Sequence, residues 1–185
     1  MKIKVVNKTE FELPKYETIG SAGMDLRANL KTMNEKVFHD YDYTKNPNYG
    51  FLSKVDDKRT YEDGLWLRPH TQYIIPTGIF IQLPKPIIEV HSGEGWGYEA
   101  QIRPRSGLAA KHGITIVNCV GTIDSDYRGE IMVILMNLLN IPHKISHGDR
   151  IAQMIINRYE RISWYNVESL DETERGGGGL GHTGN

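Results

Sequence analysis

Apolar residues fall in short, closely spaced runs along most of this chain, and nearly every run has the length of a strand. Residues 2–6 (KIKVV) alternate charged and apolar side chains, the period of a strand with one face in the core. Residues 73–83 (YIIPTGIFIQL) are β-rich but broken by Pro76 and Gly78, which predicts a bulge or bend in place of one straight strand. Further strands are predicted at 87–90, 98–103, 114–120, 130–139, 150–156 and 161–167. They recur about every ten residues with Gly, Pro, Asn or Asp at most junctions, the rhythm of an all-β sandwich or barrel. Residues 130–139 (EIMVILMNLL) are apolar on both faces, which places that strand between layers or at a contact between subunits.

One helix is predicted. In SGLAAKHG (106–113), Ser106 reads as the N-cap, Leu-Ala-Ala-Lys are good helix formers, and Gly113 reads as the stop. So short a helix cannot stand alone in water and must lean on the strands. Two segments break the strand rhythm and read as surface excursions: 31–66, rich in Asp, Lys, Asn and Tyr, and 85–97, whose Pro and Gly residues interrupt the sheet. No internal repeat of fixed period is present.

Composition narrows the class. A chain of 185 residues suits one domain with a sizeable core. Lys and Arg total 22 against 23 Asp and Glu, a net charge of −1, so a basic coat for nucleic acid is excluded. No apolar run approaches the roughly 18 residues of a membrane span, and MKIKVVNKTEFELPKYE lacks an apolar signal core. The expectation is a cytoplasmic protein with neither membrane nor nucleic acid as partner. Cys119 is the single cysteine, which excludes an intrachain disulfide and a cysteine zinc cluster.

Several short patterns could carry chemistry. Gly176 to Thr183 nearly spells a phosphate-binding P-loop, but His182 holds the lysine position and no helix can follow. What remains is a glycine-rich strip led by Arg175, able to wrap an anion or simply to be a mobile end. His143 and His147 have the i,i+4 spacing of helical zinc ligands, yet Pro142 and the missing glutamate favour exposed loop histidines. RPRSG (103–107) sets two arginines and a hydroxyl before the helix, suited either to phosphate or to surface ion pairs and a cap. In NCVGTIDSDYRGE (118–130), Asp124 and Asp126 lie between two apolar strands, and taken alone they read as an ordinary hairpin in which Asp and Gly supply the turn geometry.

Taken together and in order, SAGMDLRA (21–28), PRSGLAAKHGI (104–114), VGTIDSDYRGEI (120–131) preceded by Asn118, GDRIAQMII (148–156) and RGGGGLGHTG (175–184) resemble the five motifs of the trimeric dUTPase family. The resemblance spans residues 1–30 and 67–185. Segment 31–66 is longer than the family's usual connection, and Leu180 stands where the family commonly has an aromatic over the uracil ring. The resemblance implies a distorted β-barrel or jelly-roll-like subunit, residues 1–174 with the insertion 31–66. It further implies a homotrimer with active sites at subunit contacts and a C-terminal arm, 175–185, closing over them.

The implied reaction is dUTP plus water giving dUMP and pyrophosphate, with attack at the α-phosphorus. Asp124 matches the water-activating carboxylate. Mg²⁺ is the implied cofactor, carried mainly by phosphate oxygens and water, with Asp25 near its water shell. Arg105, Ser106 and Gly107 match the phosphate-binding second motif, Gln153 the phosphate contact of the fourth, and Arg175 the γ-phosphate contact of the fifth. Asn118, Gly121, Thr122 and Ile123 are implied to meet the uracil edge. Tyr127 is implied under the deoxyribose, with Gly179, Leu180 and Gly181 covering the nucleotide. Two other functions are weighed. dCTP deaminases share the fold but need a proton-shuttling glutamate where this chain has Ile134. A dUTP-gated interaction protein would use 31–66 to hold a protein partner.

Overall fold

A computed structural model describes residues 1–33 and 64–179. The alternating N-terminal run becomes β1 (Lys4–Asn7), paired antiparallel with β5 (Ile79–Gln82). The 73–83 run divides at its proline and glycine. β4 (Gln72–Pro76) leaves β5 to the first sheet and pairs instead with β10 (Met132–Asn137), which also carries β8 (Ile114–Ile116). A third pair joins β3 (Leu65–Leu67) to β11 (His143–Ile145). The largest sheet runs β2 (Met24–Arg27), β12 (Arg150–Arg161), β7 (Gly95–Arg103), and the far edge of β7 takes both β6 (Ile87–Ile88) and β9 (Gly121–Ile123).

The sheets bury one face each on a shared core. Leu26 and Ile151 of the large sheet, Ile75, Val133 and Leu135 of the β4–β10–β8 sheet, and Leu65 and Leu67 of β3 are all at most 1 % exposed. Burial alternates strictly along β10, with Val133, Leu135 and Asn137 inside. Its apolar second face (Met132, Ile134, Met136) is half-buried, as the doubly apolar run predicts for a strand covered in part on both sides. The one α-helix whose bounds fall within the described residues, α1 (Ser106–His112), ends at Gly113, whose φ of 59° is the left-handed stop that glycine adopts freely. No described helix is long and apolar enough to cross a membrane.

The all-β expectation with one short helix holds, in a jelly-roll-like arrangement that is not a closed barrel among the described residues. Four local expectations need correction. Residues 161–167 are not a separate strand: β12 runs on to Arg161, and Trp164 and Tyr165 beyond it are about nine-tenths exposed. Residues 85–97 do not interrupt the sheet but extend it, because Ile87 and Ile88 pair with Trp96 and Gly95 across a turn. Ser106 is not the N-cap: Arg105 takes that position with extended φ and ψ and no side-chain bond to the helix, and Ser106 is the first helical residue. Finally, His143 and His147 are not exposed loop histidines. His143 lies in β11, and His147 is only 23 % exposed.

His143 stacks on His112 of α1 with ring centroids 4.4 Å apart. Burial, reinforced by the neighbouring His112 and opposed by Asp149, holds the His143 pKa below the ordinary imidazole value. A depressed histidine takes up protons more readily when unfolded, so its contribution to stability is complete above about pH 6.5 and is lost as pH falls below that. The urea midpoint is therefore expected to drop between pH 7.5 and 5.5, and His143→Phe is expected to flatten that drop. An equal drop in the variant would assign the dependence elsewhere.

Candidate functional site

Three of the five sequence motifs meet at one end of the large sheet because β12 lies between β2 and β7. Register places Gln153 opposite Asp25 on one side and Arg103 on the other. Gly23, just before β2, permits the close approach: a Cβ there would stand 2.7 Å from Gln153 Oε1. Gln153 Nε2 donates to the Pro104 carbonyl at 2.9 Å, so the fourth motif holds the second in place.

Asp25 is the hub of this end. Arg105 Nε donates to its Oδ1 at 2.8 Å, and Arg150 Nη1 to its Oδ2 at 3.2 Å. Arg105 Nη1 also donates to the Arg150 carbonyl at 3.1 Å. Two guanidinium groups around one carboxylate leave a unit of positive charge in excess, in a setting that is only partly exposed (27 % for Arg105, 19 % for Asp25). Such a cluster is suited to an anion with several oxygens. Ser106 and Gly107 follow directly and face solvent, and nothing in the described chain would meet a Cβ on Gly107. Arg150, which the sequence reading assigned no role, was legible only as a charged residue of the fourth motif, three positions before Gln153.

The third motif is not a simple hairpin. β8 and β10 pair with each other, and the chain between them leaves their sheet so that β9 can pair with β7. Asn118 folds over Gly121, which is buried, while Thr122 is exposed and Ile123 packs on the core. Asp124 follows and is exposed, its carbonyl accepting the Tyr127 N–H at 3.2 Å to close a turn. The Tyr127 hydroxyl donates to the Glu130 carbonyl at 2.9 Å, which leaves its ring 41 % exposed. Ile134 pairs with Ile74 and brings no proton-shuttling group.

Within one chain the two halves do not converge. Ile123 sits opposite Ala100, and the antiparallel β9 then runs away from Arg105. At about 3.3 Å per residue, the five steps from Ala100 to Arg105 put the carboxylate loop roughly 16 Å from the arginine cluster. Grooves of about 280 and 430 Å³ beside β1 and β5 hold none of the candidate residues, whereas Asp25 and Arg150 line a small recess of about 30 Å³. Arg175 bonds within its own turn, Nε to the Gly178 carbonyl at 2.9 Å, and Gly179 is exposed. Leu180, Gly181 and residues 34–63 of the long insertion lie outside the described residues.

The donor set speaks to the implied Mg²⁺. Among the described residues no three His, Cys, Asp or Glu side chains form a cation site, and both oxygens of Asp25 already accept from arginine. Asp25 alone, with each oxygen already engaged by an arginine, leaves most of a cation's coordination sphere to be filled by phosphate oxygens and water.

Residues 61–184 match the family model described as dUTPase. The chain is 48 % identical over 184 residues to the deoxyuridine 5'-triphosphate nucleotidohydrolase of Finegoldia magna, covering 100 % of this chain and 99 % of that protein. The protein of the same name from Fusobacterium nucleatum is 41 % identical over 184 residues, covering 100 % and 97 %. Among solved structures, a variant of the Staphylococcus bacteriophage 80alpha dUTPase with dUpNHpp superposes with a TM-score of 0.67 at 18 % identity, covering 99 % of this chain and 98 % of that one. A variant dUTPase from phage phi11 of S. aureus, described as revealing the coordination of a structural Mg(II) ion, gives 0.63 at 16 % identity, covering 93 % and 100 %. At such identities these structures report on the fold alone.

Proposed function

We propose that this chain, which belongs to the dUTPase family, is a dUTP diphosphatase converting dUTP and water to dUMP and pyrophosphate. The observation that carries the reading is the meeting of the first, second and fourth motifs around Asp25, Arg105 and Gln153 at one end of the large sheet. In this reading residues 1–174 form the catalytic unit and 175–185 its closing arm.

Arg105, with Ser106 and Gly107, grips the polyphosphate, and the missing Cβ at Gly107 leaves room for phosphate to approach the backbone. Gln153 keeps Pro104 in place and faces the same anion. Asp25 aims Arg105, and its remaining lone pairs can meet the water shell of an ion carried by the phosphates. Mg²⁺ bound with the triphosphate would neutralise charge that otherwise repels a nucleophile.

Asp124 accepts the proton of the attacking water, and Asn118 with the backbone of Gly121, Thr122 and Ile123 pairs with the uracil edge. Tyr127 presents its ring to the deoxyribose, where a 2′-hydroxyl would collide. Because Asp124 and Arg105 are remote within one chain, the working site draws them from neighbouring copies, which supports a homotrimer. Arg175 then reaches the γ-phosphate and brings Gly179, Leu180 and Gly181 over the nucleotide, so only a full triphosphate repays the entropy of ordering the arm.

Pyrophosphate release from dUTP, dCTP, dTTP and UTP, measured side by side with Mg²⁺, tests the reading. Cytosine carries an amino donor at position 4 where uracil has a carbonyl acceptor, so dUTP is expected to be preferred over dCTP by about 10⁴ in kcat/KM. Release of ammonia from dCTP, or no pyrophosphate from dUTP, would overturn it.

A further inference from the structure

His147 occupies the turn between β11 and β12, and none of the roles assigned above falls on it. Its ring is held from three sides. Nδ1 stands 3.1 Å from the backbone nitrogen of Leu30, which can only donate, so Nδ1 is the acceptor and Nε2 carries the hydrogen. Nε2 then donates to Glu10 Oε1 at 2.9 Å. The ring packs on Phe11 with centroids 4.7 Å apart. Glu10 also accepts from Lys31, and chiefly these two donors hold its carboxyl down to about 2. One side chain thus ties together the N-terminal segment, the 3-10 turn Leu30–Thr32 and the 146–149 turn.

That last turn is sewn to the end of β2. Gly148 N donates to the Ala28 carbonyl, Ala28 N to the Asp149 carbonyl, and Arg27 Nη1 to the Gly148 carbonyl, all at 2.8 Å. Arg150 is the next residue, and its guanidinium and carbonyl hold Asp25 and Arg105. Leu30 is 1 % exposed, so its N–H finds no ready substitute in water if the imidazole is lost.

We infer that His147 is a positioning residue for the phosphate grip: by accepting the Leu30 N–H it fixes the 146–149 turn, which sets where Arg150, and through it Asp25 and Arg105, stand. The inference rests on the reading of Arg105 as a phosphate ligand. It concerns substrate binding rather than the chemical step, because Asp124 lies on a different loop.

Two replacements separate this role from a merely structural one. His147→Asn keeps an oxygen near the Nδ1 position to accept from Leu30, whereas His147→Gln can reach Glu10 but leaves that position empty. His147→Gln is expected to raise the KM for dUTP roughly five- to tenfold with kcat within about twofold, and His147→Asn to restore KM to within about twofold of wild type. Arg105→Ala, assayed alongside, is expected to raise KM by about tenfold or more. If Arg105→Ala raises KM and His147→Gln does not, or if Asn and Gln are equally impaired, the positioning role is overturned while the grip survives. If Arg105→Ala leaves KM unchanged, the grip itself is wrong and the inference falls with it. Hydrogen exchange in the wild-type protein gives an independent measure: the Leu30 amide is expected to be protected, and free exchange there would refute the bond whatever the variants do.

Discussion

Replacing Asp124 with alanine is expected to lower pyrophosphate release from dUTP by roughly 10³-fold while dUTP binding stays within about tenfold of wild type. The two carboxylates of the candidate site differ in what they already do. Both oxygens of Asp25 accept from arginine, so removing Asp25 disturbs the grip on substrate. Asp124 is exposed on the turn after β9, and among the described residues its hydrogen bond is made by the backbone carbonyl, not the side chain. Its side chain is therefore free to meet a water, and truncation at Cβ removes the proton acceptor without touching the fold. A carboxylate is a weak base, so its effect comes through placement and through charge developing in the transition state. Steady-state release gives kcat, and direct titration with a non-hydrolysable dUTP analogue gives affinity. Near-wild-type turnover by Asp124→Ala would remove this residue from the mechanism.

Deleting residues 175–185 is expected to cost about 10²-fold or more in kcat/KM and to leave the proposed homotrimer intact. The bonds of the described part of this segment are local: Gly176 N to the Thr173 carbonyl at 3.0 Å, Gly178 N to the Arg175 carbonyl at 3.1 Å, and Arg175 Nε back to Gly178. Removing its described residues takes nothing from the core, so lost activity is expected to report on what the segment does to bound substrate. Six glycines among eleven residues make ordering it costly, a cost met only when Arg175 finds an anion. Sedimentation equilibrium and dUTP kinetics on the same truncated preparation provide the check. Unchanged kinetics would show that the arm is no lid, and loss of the proposed trimer would assign it to assembly instead.

How far the sequence carried the fold depended on the range of the forces involved. The break at Pro76 and Gly78 and the helix stop at Gly113 were legible because ring geometry and left-handed φ act on single residues. β12 was read as two pieces because Asn157, Arg158 and Glu160 interrupt its apolar run, yet nine backbone pairings with β7 carry it to Arg161. The strands at 24–27, 65–67 and 143–145 were missed for a related reason. Each is three or four residues long, too short for a period to show, and exists because a partner strand pairs with it.

The chemistry divides in the same way. Motif order along the chain already identified the residue types that a polyphosphate and a uracil edge require, since donor and acceptor inventory belongs to each side chain wherever it lies. Their arrangement does not. That Asp25 stands between Arg105 and Arg150, that Gln153 secures Pro104, and that β9 pairs with β7 instead of its chain neighbours β8 and β10 and so carries Asp124 away from the arginines are facts of the packing between segments up to 125 residues apart. Residue identity is a local property; distance between residues is set by the packing of the whole chain, and only the tertiary structure holds it.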